Sequence, residues 1–198
     1  MPEVTTNNSS VQVGLSNLVV AKQLTDGEGG TTYDTPRRIV DFIKAGIKPS
    51  TSSDTLYGDD GPAEVATAMG EVAVSLNAKE VPTDIQAYIL GHTIDEAGGL
   101  IKKASDTAPY VAIGFKSLRS NGTYKYLWMY KGMFELLEEN FETKGDKTNF
   151  QTPTLSAKFI KRASDDVWQY SRTEGDPGVN AEKLKTWFDK VVEPELSE

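Results

Sequence analysis

Apolar and polar residues alternate along several stretches of the chain, as they do in strands with one buried face. The run over 11–21 ends at a glycine-rich turn around Gly27, and the run over 71–77 is the most regular. The residues of 37–48 also fit helical spacing, but their β-branched side chains and Pro49 favour a strand. We predict strands over residues 11–21, 37–48, 71–77, 110–118, 123–134, 154–162 and around 168–170.

One β-hairpin has an explicit turn signal. Asn121-Gly122 separates two alternating runs, and this pair favours the tight turn of an antiparallel hairpin. In the second run, Tyr124, Tyr126, Trp128 and Tyr130 share one face. Both faces of that run are apolar enough to be at least partly covered, and the fold class is mainly antiparallel β.

Two short helices accompany the strands. Pro82 suits a first helical turn, apolar residues follow at helical spacing, and Gly91 offers a stop. A last helix is predicted over 180–192, capped by Asn180. Its apolar stripe, which should lie on the domain or on a neighbouring subunit, is Leu184, Trp187, Phe188 and Val191.

Three boundaries follow from composition. Residues 1–10 are polar and predict a flexible N-terminal arm, residues 11–178 form the β domain, and residues 179–198 form a C-terminal helix and tail. The segment 49–69 is rich in Ser, Asp, Gly and Pro, and we predict a long loop there. Loops of this length in compact domains are usually functional or disordered.

Composition narrows the class of protein. The 198 residues suffice for one domain, and the lack of cysteine excludes disulfides and thiolate chemistry. A net charge of -8 argues against a protein that grips phosphate backbones, although it suits a surface past which DNA slides. The N-terminus lacks a targeting pattern, so we expect a soluble protein made in the cytoplasm.

The usual catalytic patterns are missing from the sequence. His92 is the one histidine, and its place after Gly91 favours a capping or solvated role near a helix end. The turn around Gly29 lacks the Lys-Ser/Thr of a phosphate-binding loop. The Asp59-Asp60-Gly61 turn does not match the register of a calcium loop. We therefore predict no enzyme, no metal and no cofactor.

Several long segments resemble the major tail proteins of bacteriophages of the phi13 type. They are VGLSNLVVAKQLTDG, TLYGDDGPAEVATAMGEVAVSLNAKEVPTDIQAYILGH, APYVAIGFKSLRSNGTYKYLWMYKGMF and KGDKTNFQTPTLSAKFIKR. They occur in the same order and span most of the chain, from about Val13 to about Trp168.

The resemblance implies a fold and an assembly. The fold would be the antiparallel β-sandwich or barrel of phage tail-tube proteins, with a flanking helix. Six copies would form a ring, stacked rings would form the tube through which DNA passes, and partners would be the tape measure, initiator and terminator proteins. The long loop would reach the adjacent ring, and the residues expected to carry this contact are Tyr57, Gly58, Asp59, Asp60, Gly61 and Pro62.

Two other function classes compete with this one. A carbohydrate- or receptor-binding β-sandwich would use Tyr124, Tyr126 and Trp128 as an exposed platform. A hydrolase would use two carboxylates, but pairs such as Glu138-Glu139 are adjacent in sequence and diverge on a strand. The sequence favours the structural protein over both.

Overall fold

The alternating runs of the sequence form the strands of a mainly antiparallel β fold in a computed structural model, which describes residues 10–39, 41–58, 61–139, 143 and 152–194. The strands are β1 (Gln12–Gly27), β2 (Gly30–Tyr33), β3 (Arg37–Ile39), β4 (Phe42–Gly58), β5 (Gly61–Ala78), β6 (Thr93–Ile94), β7 (Leu100–Ile101), β8 (Val111–Arg119), β9 (Tyr124–Phe134), β10 (Thr154–Ile160) and β11 (Gln169–Thr173). The helices are α1 (Thr83–Leu90) and α2 (Ala181–Lys185). The predicted fold class is confirmed.

The strand pairings run around a shared core. The main order is β2-β1-β8-β9-β10-β5-β4, with β11 on β9 and β3 on β1. The last strand of this order, β4, follows β3 in the chain after two residues, and β3 pairs with β1. The series of strands that begins with β1 and β8 therefore ends close to β1 again. This arrangement is a β-sandwich, with β6 and β7 as a separate small hairpin.

The core lies between the layers and is made by alternate residues of the strands. Leu18 and Val20 of β1 face it, whereas Val19 and Ala21 face the opposite side of the sheet. Helix α1 covers the core with Ile85 and Ile89. Other fully buried members are Ile39, Val72, Leu76, Ile113, Met129, Leu155 and Phe159.

A glycine marks the tightest packing in this core. A Cβ atom on Gly132 would lie 2.4 Å from the ring of Phe159, which is fully buried, whereas a Cβ on Gly27 would meet nothing within 4 Å. Gly132→Ala is therefore expected to lower the free energy of unfolding by about 1–3 kcal/mol, because the ring must shift in a packed core. Urea unfolding measures this, with Gly27→Ala as the control. Equal stabilities for the two variants would contradict it.

Two elements were predicted correctly from local turn signals in the sequence. The hairpin over 110–134 is confirmed as β8 and β9, and Gly122 has the positive φ of 84° that its turn requires. The helix before Gly91 is confirmed as α1. It ends at Gly91 in the left-handed conformation, and the amide of Gly91 donates to the carbonyl of Ala87.

The predicted loop over 49–69 is wrong as secondary structure. Most of it lies in β4 and β5, which pair with each other from Phe42 and Ala78 out to Gly58 and Gly61. Threonine is a good strand former, and Pro49 is tolerated because β4 is an edge strand that leaves one row of backbone groups unpaired. The polar composition thus reflects exposure of a hairpin and not the absence of strands.

Two other elements differ from the prediction. Residues 37–48 form β3 and the start of β4, with a break at Asp41, whose φ is 56°. The last helix is confirmed only over Ala181–Lys185. The carbonyl of Trp187 accepts the indole N–H of Trp128 at 3.1 Å, and residues after Lys185 make short turns instead of continuing the helix. The predicted cap is present, since Asn180 accepts the amide of Glu182.

Some predictions fall outside the described residues. The N-terminal arm predicted over 1–10 is one of these, except for Ser10, and so are residues 195–198 of the C-terminal tail.

Candidate self-assembly surfaces

The most prominent surface feature is the outer part of the β4–β5 hairpin. Strand β10 pairs with β5 only from Val72 to Asn77, so the hairpin beyond Val72 pairs with no third strand of the described chain. We call the part from Thr51 to Met69 the arm. An isolated two-stranded ribbon is marginally stable in water, so the arm has the geometry of an element that is completed by a partner.

The predicted contact residues lie at the tip of this arm. Tyr57 pairs with Pro62 and Gly58 pairs with Gly61, which leaves two residues between the strands. Those two, Asp59 and Asp60, lie outside the described residues. The structure therefore brings four of the six predicted residues together at one end of the hairpin.

Open strand edges form a second candidate surface. Strand β4 pairs with β5 on one side and with no described strand on the other, and the first residues of β1, Gln12–Ser16, pair only with β8. An open edge offers backbone donors and acceptors to another chain. The edge of β4 carries Lys44, Lys48 and Pro49, and such residues limit uncontrolled pairing.

The outer face of β1, β8 and β9 is covered by residues 179–194, which we call the C-terminal segment. Trp187 is fully buried there, with its ring 5.6 Å from that of Tyr170. The indole of Trp128 and the hydroxyl of Tyr130 donate to the carbonyls of Trp187 and Val192, at 3.1 and 2.6 Å. Of the two positions predicted for the last apolar stripe, on the domain or on a neighbouring subunit, the structure has the first.

This cover removes the platform expected for a carbohydrate- or receptor-binding module. Trp128 is 0% exposed and Tyr126 is 9% exposed, so neither can stack on a ligand at the surface. Core packing explains the aromatic stripe, as one of the sequence interpretations held.

A buried arginine forms an ion pair with the end of the C-terminal segment. Arg162 is 2% exposed, its guanidinium lies 4.1 Å from the centre of the Tyr130 ring, and it pairs with Asp165 and, at 3.2 Å, with Glu193. Burial alone would lower the pKa of Arg162, but the hydrogen bonds to Asp165 and Tyr33 raise it overall, so the group stays charged. Sequence reasoning did not identify this group, because its partners are distant in the chain.

A buried aspartate joins the β1–β2 turn to the segment after β10. Asp26 accepts the ammonium of Lys131 at 2.5 Å and the backbone amides of Ala163 and Ser164. Burial raises the pKa of Asp26, but the hydrogen bond from Lys131 and those from Ala163 and Thr31 lower it by more, well below its usual range. This carboxylate stabilises the fold through hydrogen bonds from Lys131, Thr31 and the amides of Ala163 and Ser164.

Loss of this carboxylate should lower stability in a pH-dependent way. Asp26→Asn is expected to cost about 1–3 kcal/mol at pH 7, because a buried ammonium loses its charged partner. A lowered pKa gives stability that is present above the unfolded value, about 3.9, and is lost as the pH falls below it. The difference between variant and wild type should therefore shrink as the pH falls from about 4 to about 2 in urea unfolding. A pH-independent difference would contradict the assignment.

The single histidine has a structural partner. His92 is buried, and its Nδ1 lies 2.7 Å from Oδ2 of Asp106, so the predicted capping or solvated role is wrong. The Lys103 amide and His92 hold the pKa of Asp106 below its usual value. The Nε2 atom of His92 is buried and has no hydrogen-bond partner among the described residues. Within those residues, His92 therefore does not contact a hydroxyl group that it could activate as a nucleophile.

A shallow cleft of about 250 Å³ lies between the β2–β3 connection and the C-terminal segment. Two carboxylates that line the cleft already have partners in the chain. Asp34 accepts a hydrogen bond from the hydroxyl of Tyr88, and Glu193 forms an ion pair with Arg162. Groups of three or more potential metal ligands do not occur in the described parts of the chain. Neither described helix is long and apolar enough to cross a membrane.

A comparison with protein families identifies the kind of protein that carries these surfaces. The family model of the phage tail tube protein matches residues 46–190, which include the arm, strands β5 to β11 and most of the C-terminal segment. The chain belongs to the phage tail tube protein family. No curated protein matches the chain.

Membership in this family implies self-assembly into a tube. Tail tube proteins are structural proteins of the phage tail that assemble with copies of themselves into a tube. Such a subunit needs surfaces that stay unsatisfied until a neighbour arrives, and the arm and the two edges have that property. The sequence located the arm but missed the β1 edge, because alternation of side chains does not show which strands lie at an edge.

Proposed function

We propose that this tail tube protein is the major tail protein of a phage with a long, non-contractile tail, and that six copies form each ring of the tube. The observation that carries the proposal is a folded β-sandwich in which the edges of β4 and of the start of β1 are open and the β4–β5 arm has no third strand beside it within the described chain. Pairing between neighbouring subunits closes such edges into a barrel around a lumen.

The arm supplies the contact between rings in this proposal. It extends beyond the last β10 pair at Val72 by the length of eight further pairings, from Thr51–Met69 to Gly58–Gly61. At about 3.3 Å per strand residue, the eight residues of Thr51–Gly58 reach roughly 25 Å from the domain. That length allows the tip around Tyr57 and Pro62 to contact a copy in the adjacent ring.

The lumen is for passage and not for binding. A subunit charge of -8 repels the phosphates of DNA, so the tube guides the phage genome without holding it. The tape measure, initiator and terminator proteins are the other expected partners, because a repeating ring by itself does not fix where a tube starts or ends. The subunit would be located in the host cytoplasm before assembly and in the tail of the virion after it.

Electron microscopy of the concentrated full chain tests the proposal. We expect stacked rings or tubes whose end views have sixfold symmetry. A protein that stays monomeric with its initiator and tape measure present would overturn the proposed function. Tubes with another symmetry would overturn only the number of copies in each ring.

A further inference from the structure

The two strands of the arm present two different rows of residues. Directly paired residues of an antiparallel ribbon share a face, and alternate pairs lie on opposite faces. The first row contains the pairs Thr51–Met69, Ser53–Thr67 and Thr55–Val65. The second row contains the pairs Ser52–Ala68, Asp54–Ala66 and Leu56–Glu64.

The first row continues the core-facing side of the domain. Ala45 and Ile47 of β4 pack against the core, and counting in steps of two along β4 leads from Ile47 through Pro49 to Thr51. The register shift between Pro49 and Thr51 places the extra residue on β5, so the alternation of β4 is not interrupted. The first row of the arm therefore continues the face with which Ala45 and Ile47 pack against the core.

The first row is nevertheless exposed to solvent in the single subunit. Thr51, Ser53, Thr67 and Met69 are all exposed, and the thioether side chain of Met69 has 44% of its surface accessible. Val72 is fully buried on this face, but its partner Pro49 on β4 is already exposed, so the cover of the face ends at about this pair.

The two rows differ in what their burial would cost. Every position of the first row is uncharged, and most are β-branched or apolar, which suits a packed strand face. The second row carries Asp54 and Glu64, and no Lys or Arg occurs anywhere from Pro49 to Met69. Burying that row would leave carboxylates without partners, which costs several kcal/mol per charge.

We propose that the arm docks on a second copy of this chain through its first row and leaves the row of Asp54 and Glu64 in solvent. The inference rests on the proposed function, because the occupant is another tube subunit. The family assembles with itself, so a second copy is the partner already required, and only the first row can be buried without desolvating charges.

Adjacent serines provide a matched test. Ser52 and Ser53 are both exposed, neighbour each other on β4 and belong to opposite rows. We compare Ser53→Asp and Ser53→Lys with Ser52→Asp and Ser52→Lys in the full chain. The fraction of protein that pellets as tubes is measured by sedimentation and checked by electron microscopy. Thermal unfolding of the four monomers should stay close to wild type, since both positions are exposed.

We expect both Ser53 variants to lower the tube fraction by at least about tenfold, since either charge would be buried at the contact, and both Ser52 variants to stay within about twofold of wild type. Equal losses at the two positions would overturn the docking face, as would wild-type assembly of the Ser53 variants. An effect that follows the sign of the charge, and not the position, would also overturn it. Failure of the wild-type chain to form tubes would instead overturn the proposed function itself.

Discussion

A chain in which residues 52–68 are replaced by Asn-Gly is expected to fold normally and to form no tubes. Asn-Gly is the preferred two-residue hairpin turn, and it would join Thr51 to Met69, which already pair. The pairing of β5 with β10 from Val72 to Asn77 stays intact, and so does the core beneath it. The variant therefore removes the arm and leaves the domain.

The expected loss of assembly is large. If the arm contributes about 3 kcal/mol to each contact, its removal lowers that association constant by about a hundredfold, and a tube repeats the contact at every copy. Sedimentation and electron microscopy measure the tubes, while circular dichroism and thermal unfolding confirm that the domain is folded. Tubes at the wild-type yield from the shortened chain would show that the arm is dispensable, and the inter-ring role would then be withdrawn.

The sequence predicted elements whose signals are local. The Asn121-Gly122 turn and the Gly91 helix stop depend on backbone conformations that glycine adopts easily, so the hairpin and α1 were predicted correctly. The buried alternation of Val72, Val74 and Leu76 was equally readable, because one face of that part of β5 meets the core.

The arm was misjudged because its strands lack that apolar alternation. A ribbon exposed on both faces has no row of large apolar residues, and its Ser, Gly and Asp content resembles a loop. Two signals favour a hairpin after the fact. Threonine and valine recur at Thr51, Thr55, Val65 and Thr67, and a two-residue turn lies between Gly58 and Gly61. The location of the candidate site could thus be predicted, but its secondary structure could not.

Contacts between distant residues could not be predicted at all. The sequence indicated that the stripe containing Trp128 is covered, but the cover is a carbonyl and a ring of Trp187, 59 positions later. The same holds for Asp26, whose partner Lys131 lies 105 positions away. Such pairs depend on the topology of the sheet, and a single sequence does not specify it residue by residue.

The C-terminal segment covers an apolar face within the subunit, whereas the open edges leave backbone groups available to other subunits. The outer face of β1, β8 and β9 is aromatic and would be a large apolar patch if it were exposed, and such patches promote unspecific association. The segment covers that face within the same subunit. In the proposed assembly, contacts are thereby limited to the edges and the arm, where backbone pairing would set the register of the contact. Under that proposal, a stable cover is a condition for ordered tube growth.

Trp187→Ala should show how strongly this cover is held. Trp187 is 0% exposed, its ring lies 6.0 Å from that of Tyr126, and its indole nitrogen has no hydrogen-bond partner among the described residues. The variant keeps the backbone carbonyl that accepts from Trp128, so it removes packing alone. We expect a loss of about 3–5 kcal/mol in the free energy of unfolding, a large part of the stability of an ordinary domain.

Urea unfolding followed by circular dichroism measures this loss, since fluorescence would also report the missing indole. Lys190→Ala is the matched control, because Lys190 lies in the same segment and is exposed. Its stability should stay within about 0.5 kcal/mol of wild type. A loss below about 1 kcal/mol for Trp187→Ala would mean that the segment is not seated on the sheet in solution. The aromatic face would then be available to neighbours, and the division between a covered face and open edges would not hold.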